Sequence, residues 1–250
     1  MKEAIFNYCL RYADSSLIIG HRLSEWCGHG PILEEDIAMT NVALDLVGQS
    51  RSFYQYAAKV EGKDRTEDDL AYLRDEREYR NTLLTEQPNG DFGQTMMRQF
   101  LFDSFQVLFF EKLKESKDED MSAIAFKSIK ESKYHLRHSS QWVIRLGDGT
   151  EESHQRIQNS LEDLWRFSDE LFEMNEIDEV LIKDGIAVDL STIKDHWMQN
   201  VVDVLAEATL NVPEDTFMAT GSREGKHSEH LGYLLAEMQV LPRTYPGAKW

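Results

Sequence analysis

The chain has 250 residues, 41% hydrophobic and 10% aromatic, which is enough apolar matter for a large core and too much for a disordered segment. Asp and Glu number 45 against 27 Lys and Arg, a formal net charge of −18. So acidic a surface repels phosphate backbones and anionic lipid heads, which speaks against nucleic-acid and membrane partners and leaves room for a protein partner with a basic face.

Pro and Gly number only 5 and 14. They gather in a few turn-like clusters: CGHGP at 27–31, QPNGD at 87–91, LGDGT at 146–150, DGIAVD at 184–189, NVPED at 211–215, GSREG at 221–225 and YPGAKW at the end. Between them run stretches rich in Leu, Ala, Glu, Lys, Arg, Met and Gln, all good helix formers. Taken in chain order, these predict helices over 4–26, 34–60, 67–86, 92–116, 119–146, 151–173, 190–208 and 228–241. Glu34, Glu35 and Asp36 crowd the first turn of the second, where the helix dipole favours anions. Asp91 stands where an N-cap would open the fourth. The fold class expected is all-α: one domain over 1–250, with a core bundle over about 1–147 and capping helices over about 148–250.

The two cysteines, Cys9 and Cys27, form no CxxC pair and no even framework, as expected of buried free thiols in a reducing cytosol. The opening MKEAIFNYCLRYADSS meets polar residues too soon for a signal peptide. The longest greasy stretch, Phe100 to Phe110, is broken by Asp103 and Gln106 and is too short to span a bilayer. A cytoplasmic location is the expectation.

Two segments are apolar on every side, Ile37 to Gln49 and Met96 to Phe110, and such helices are expected to be buried. Each holds a lone carboxylate, Asp45 in the first and Asp103 in the second. A buried carboxylate is costly unless it is paired or binds metal. Asp14 in the first helix and Glu131 in the fifth complete a set of four. Counting outward from the two hairpin loops places Asp14 level with Asp45, and Asp103 level with Glu131. Four long helices with one central carboxylate each are the ground plan of a ferritin-like di-iron protein, which also needs a His three residues after the carboxylate on two of them. Here Gly48 follows Asp45 at that spacing and Tyr134 follows Glu131. The six positions Asp14, Asp45, Gly48, Asp103, Glu131 and Tyr134 therefore look like a vestigial di-iron site, with His135, at i+4 from Glu131 and near His138, as its rescue candidate. Otherwise Glu131 is expected to hydrogen-bond Tyr134 or pair with Lys127.

The blocks EWCGH, EQPNG and EHLG followed by LAEMQ, together with IKESKYHLRHSSQWVIRLGDGT and LPRTYPGAKW, resemble the C-subunit family of bacterial phenylacetyl-CoA epoxidases, in order along essentially the whole chain. The resemblance implies a non-catalytic, ferritin-like structural subunit that carries no catalytic residue and binds no cofactor of its own. It pairs with the catalytic A-subunit, which holds the di-iron centre and the aryl-CoA. A small B-subunit, together with a reductase subunit holding flavin, an iron–sulfur cluster and NADPH, completes the implied complex. The reading to be weighed against it is a di-iron oxidase or iron-binding ferritin-like protein in its own right, and a third is a binder of CoA esters.

Three further features have plain structural readings. His21 and Glu25 sit at i and i+4 and are expected to pair on the helix face. GSREGKHSEH, from Gly221 to His230, lacks a preceding strand and a Walker spacing, so it reads as a loop in which Ser228 caps the last helix. Phe100, Phe102, Phe105, Phe109 and Phe110 are expected in the core.

Overall fold

The computed structural model describes residues 1–214 and 217–248; Asp215 of NVPED and Lys249 and Trp250 of the closing segment lie outside them. Eleven α-helices and three 3-10 turns are found among the described residues, with no strand. The long ones are α1 (Lys2–Ser24), α2 (Leu33–Glu61), α5 (Phe92–Leu113) and α6 (Glu119–Gly147). Between α2 and α5 lie the short α3 (Glu67–Tyr72) and α4 (Leu83–Glu86). After α6 come α7 (Glu151–Trp165), α8 (Glu176–Lys183), α9 (Ser191–Glu207), α10 (Glu229–Met238) and α11 (Val240–Thr244). No helix among the described residues is long and apolar enough to cross a membrane.

Helices α1 and α2 pack along their length, as do α5 and α6. Tyr12 stacks on Phe109 at 4.0 Å between ring centroids, and Gln106 donates to Ser16, so α5 runs antiparallel to α1. Gln49 reaches Glu131 and Asp45 reaches His135, so α6 runs antiparallel to α2. Helices α2 and α5 thus point the same way, and the segment between them must travel the length of the bundle. One long crossover of this kind is the ferritin-like arrangement of four helices. The five phenylalanines of α5 named above are all buried, as expected.

The crossover corrects the helix predicted over 67–86. Its helix-forming composition is overridden after Tyr72: Asp75 and Glu78 form a capping box about a 3-10 turn at Glu76–Glu78, and the chain then runs extended to α4. The reason lies in the bundle. Breaking the helix here lets Arg74 turn into the core and lets the Arg80 N–H donate to Asp14 at 2.7 Å. The helix predicted over 151–173 likewise ends at Trp165, with a 3-10 turn at Asp169–Phe172. Helix α8, which the sequence pattern does not announce, begins in an Asn175–Asp178 capping box and seats Asp178 against Arg11 of α1 at 2.5 Å, both buried. Asp91 caps α5 as expected, accepting from the Gln94 N–H at 2.9 Å.

Three smaller expectations are corrected nearby. Cys27 is exposed, because α1 ends at Ser24 and leaves it in a surface turn; Cys9 is buried. His21 does not pair with Glu25. It is half-buried near Tyr72, where desolvation lowers its pKa to about 4, and Arg22 takes Glu25 at 2.9 Å instead. Ser228 stands at the N-cap position of α10, but its side chain caps nothing; its N–H donates to Glu86 at 2.6 Å.

Candidate functional site

The level of the bundle at which all four long helices meet through polar side chains is a layer of neutral groups. Ser16 of α1, Gln49 of α2, Gln106 of α5 and Ser132 of α6 are each at most 3% exposed. The Gln106 amide donates to Ser16 Oγ and to Gln49 Oε1, both at 3.3 Å, and Ser132 donates to Gln106 Oε1 at 3.4 Å. The Gln49 amide passes the chain on to Glu131 Oε2 at 3.1 Å. His135 lies three residues after Ser132, fully buried. Ser52 lies three residues after Gln49 and donates to the Gly48 carbonyl at 3.0 Å. With a carboxylate at each of the four layer positions and a histidine at 52 beside His135, the same frame would be that of a di-iron carboxylate bundle.

The carboxylates expected to mark this site do not share a level. Asp14 faces Tyr54, nine residues beyond Asp45 on α2, or about 13 Å along the axis at 1.5 Å per residue. Asp103 faces Ser139, eight residues beyond Glu131 on α6, about 12 Å along. For Asp14 and Asp45, loop counting fails because the connection after α1 is not a symmetric hairpin. Trp26 is tied sideways to Thr95 at 3.0 Å, Gly30 sits on Asp36 at 3.0 Å, and the first turns of α2 overhang towards Trp142 of α6.

Each acid is engaged separately. Asp14 is fully buried and accepts from the Tyr54 hydroxyl, from both terminal nitrogens of Arg74 and from the Arg80 N–H. Burial works against the Arg74 charge, but Asp14 and Tyr54 outweigh it and hold its pKa above the ordinary value. Asp103 accepts from Gln99 at 2.7 Å and Ser139 at 2.8 Å. Glu131 bonds Gln49 rather than Tyr134 or Lys127, both of which are exposed.

The buried setting expected for Asp45 is also corrected. Its side chain is 39% exposed and lies 3.1 Å from His135 Nε2. Helix α2 is not covered on every side: Ile37 is 53% and Leu44 65% exposed, with Tyr134 of α6 at 43%. A Cβ at Gly48, on the same face, would meet no neighbour within 4 Å.

The rescue candidate His135 does turn inward. One ring nitrogen meets Asp45 and the other, Nδ1, has no hydrogen-bond partner. Among the described residues, no three His, Cys, Asp or Glu side chains come together as a group able to hold a metal ion. The donor set does not fit two irons: the layer offers amides and hydroxyls, and the acids are spread along the bundle and already bonded. The layer residues escaped sequence reading because Ser and Gln carry no charge. The signal was Gln49 and Gln106, each a polar residue within or ending an apolar run.

Burial raises the Asp103 pKa from 3.8 to about 6, with the charge of His135 and the bonds from Ser139 and Gln99 opposing it. Between these values the folded chain binds a proton that the unfolded chain does not. The contribution of Asp103 to stability is therefore largest at low pH and is lost as pH rises through about 6. An NMR titration of the Asp103 carboxyl should give a midpoint near 6; a midpoint below 4 would show that the carboxylate is stabilised despite its burial.

The fold and the polar layer define a ferritin-like helical bundle whose central level is neutral. The chain belongs to the phenylacetic acid catabolic protein family, whose model matches it over residues 1–250. It is 49% identical over 243 residues to the C-subunit of the 1,2-phenylacetyl-CoA epoxidase of Escherichia coli (strain K12), a match covering 97% of this chain and 98% of that relative.

Proposed function

We propose that the chain acts in aerobic phenylacetate degradation as the non-catalytic, structural subunit of a phenylacetyl-CoA epoxidase, pairing with and supporting its catalytic di-iron A-subunit. The observation that carries this reading is the neutral layer. Where a di-iron bundle needs carboxylates, Ser16, Gln49, Gln106 and Ser132 bond one another. The similarity to a named epoxidase subunit over 97% of the chain supports the same reading.

In this role the chain binds no cofactor. The di-iron belongs to the catalytic partner, and flavin, iron–sulfur cluster and NADPH belong to the reductase, with the small B-subunit completing the complex. The uncovered apolar residues Ile37 and Leu44, beside Gly48 and Tyr134, favour a subunit over a free-standing protein. The unpartnered Nδ1 of buried His135 is the feature that favours the second reading, an iron-binding oxidase in its own right. Two measurements separate them. The chain co-expressed with the catalytic partner should elute with it on gel filtration, and the chain alone should hold no stoichiometric iron after anaerobic Fe(II) loading. Separate elution counts against the subunit role. Near two irons per chain, with an oxygen-dependent near-ultraviolet band, would establish the oxidase.

A further inference from the structure

Beside the polar layer lies a largely enclosed cavity of about 10 Å3, room for a single small guest of roughly water size. It is walled by phenylalanines of α5, including Phe105 and Phe109, and touches Ser16 and Gln106. Three of its other lining groups come from segments far apart in the chain: Tyr12 of α1, Thr82 just before α4, and Arg223 of the 3-10 turn Ser222–Glu224. The Thr82 hydroxyl and Arg223 Nε are buried without a hydrogen-bond partner, and the Tyr12 hydroxyl, which accepts from Tyr8, keeps its own proton free to donate. Buried polar atoms are nearly always satisfied, so two partnerless groups and one free phenolic proton on the lining of one small space point to a shared ligand.

The chemistry of the three groups narrows what that ligand is. All three can donate. Burial raises the Tyr12 pKa to about 12, with Arg223 pulling the other way, so the phenol keeps its proton. No hydrogen bond or ion pair engages Arg223 among the described residues, so its charge has no contact counter-ion. The acids whose fields reach this corner are already committed. Glu170 accepts from the Leu83 N–H at 2.7 Å and the Ser222 N–H at 2.9 Å, and Asp178 is taken by Arg11 at 2.5 Å. We propose that this cavity binds one monatomic anion of chloride size, held by the Tyr12 and Thr82 hydroxyls and Arg223 Nε–H. Such an ion ties the first helix, the crossover and the turn before α10 to one point, and it makes halide a stabilising ligand of the fold.

The test uses the full chain. Crystals grown with sodium bromide in place of chloride, measured at the bromine absorption edge, should show an anomalous peak in the cavity within reach of all three groups. Ordinary water density there, with no anomalous signal, overturns the proposal. In solution, replacing chloride by gluconate at constant ionic strength should lower the wild-type Tm by a few degrees. Arg223→Gln and Tyr12→Phe should each fold, by far-ultraviolet circular dichroism, and lose most of that dependence. A wild-type Tm indifferent to chloride, or an Arg223→Gln variant that responds as fully as wild type, also overturns it.

Discussion

Replacing Asp14 by alanine should lower the unfolding free energy by about 3–5 kcal/mol, because it strands a buried guanidinium. Arg74 is 4% exposed, and its other fixed partners are the carbonyls of Leu70 and Glu78, the Tyr54 hydroxyl and the ring of Tyr79, 4.3 Å away. None of these carries a full negative charge at neutral pH. Asp14→Ala also leaves the Tyr54 hydroxyl without its acceptor and the Arg80 N–H without a partner, so the crossover loses one of its ties to α1. Urea unfolding of the variant measures the loss; a change under about 1 kcal/mol would mean that water reaches Arg74 freely. The double variant Asp14→Leu with Arg74→Met should recover much of the deficit, since removing both charges also removes the burial cost.

The second expected result concerns the polar layer. Ser16→Glu, Gln49→Glu, Ser52→His, Gln106→Glu and Ser132→Glu, with His135 retained, supply one carboxylate per helix and a Glu-x-x-His pair on α2 and α6. After anaerobic Fe(II) loading, this variant should rise from no stoichiometric iron to about two irons per chain, read by elemental analysis and by a near-ultraviolet band on exposure to oxygen. In contrast, adding histidines beside the acids, by Gly48→His and Tyr134→His, should bind none, because Asp45 and Glu131 lie at levels different from those of Asp14 and Asp103. A folded five-residue variant that binds no iron would place the old metal level elsewhere in the bundle.

These two experiments divide along the line between what the chain says locally and what only its folding decides. Helix-forming composition between Pro–Gly punctuation located α1, α2, α5, α6 and α9 to within about three residues, and Asp91 marked the start of α5. Helix formation is dominated by local terms, so it is written locally. The break at Tyr72 was not legible, because Arg74 leaves the helix for a partner sixty residues earlier in the chain. Helix α8 is not legible in the sequence because it is only eight residues long and flanked by turns. The absence of Glu-x-x-His is plain in the sequence, but the sequence places four carboxylates at the centre, where the structure has a neutral layer. Which residues stand there is not plain. That depends on how far one helix slides along another, and the slide is set by Trp26 on Thr95, Gly30 on Asp36 and Glu35 on Trp142. A slide of about two turns separates the acids from one another and leaves Ser16, Gln49, Gln106 and Ser132 at one level, and no count along the chain contains that register.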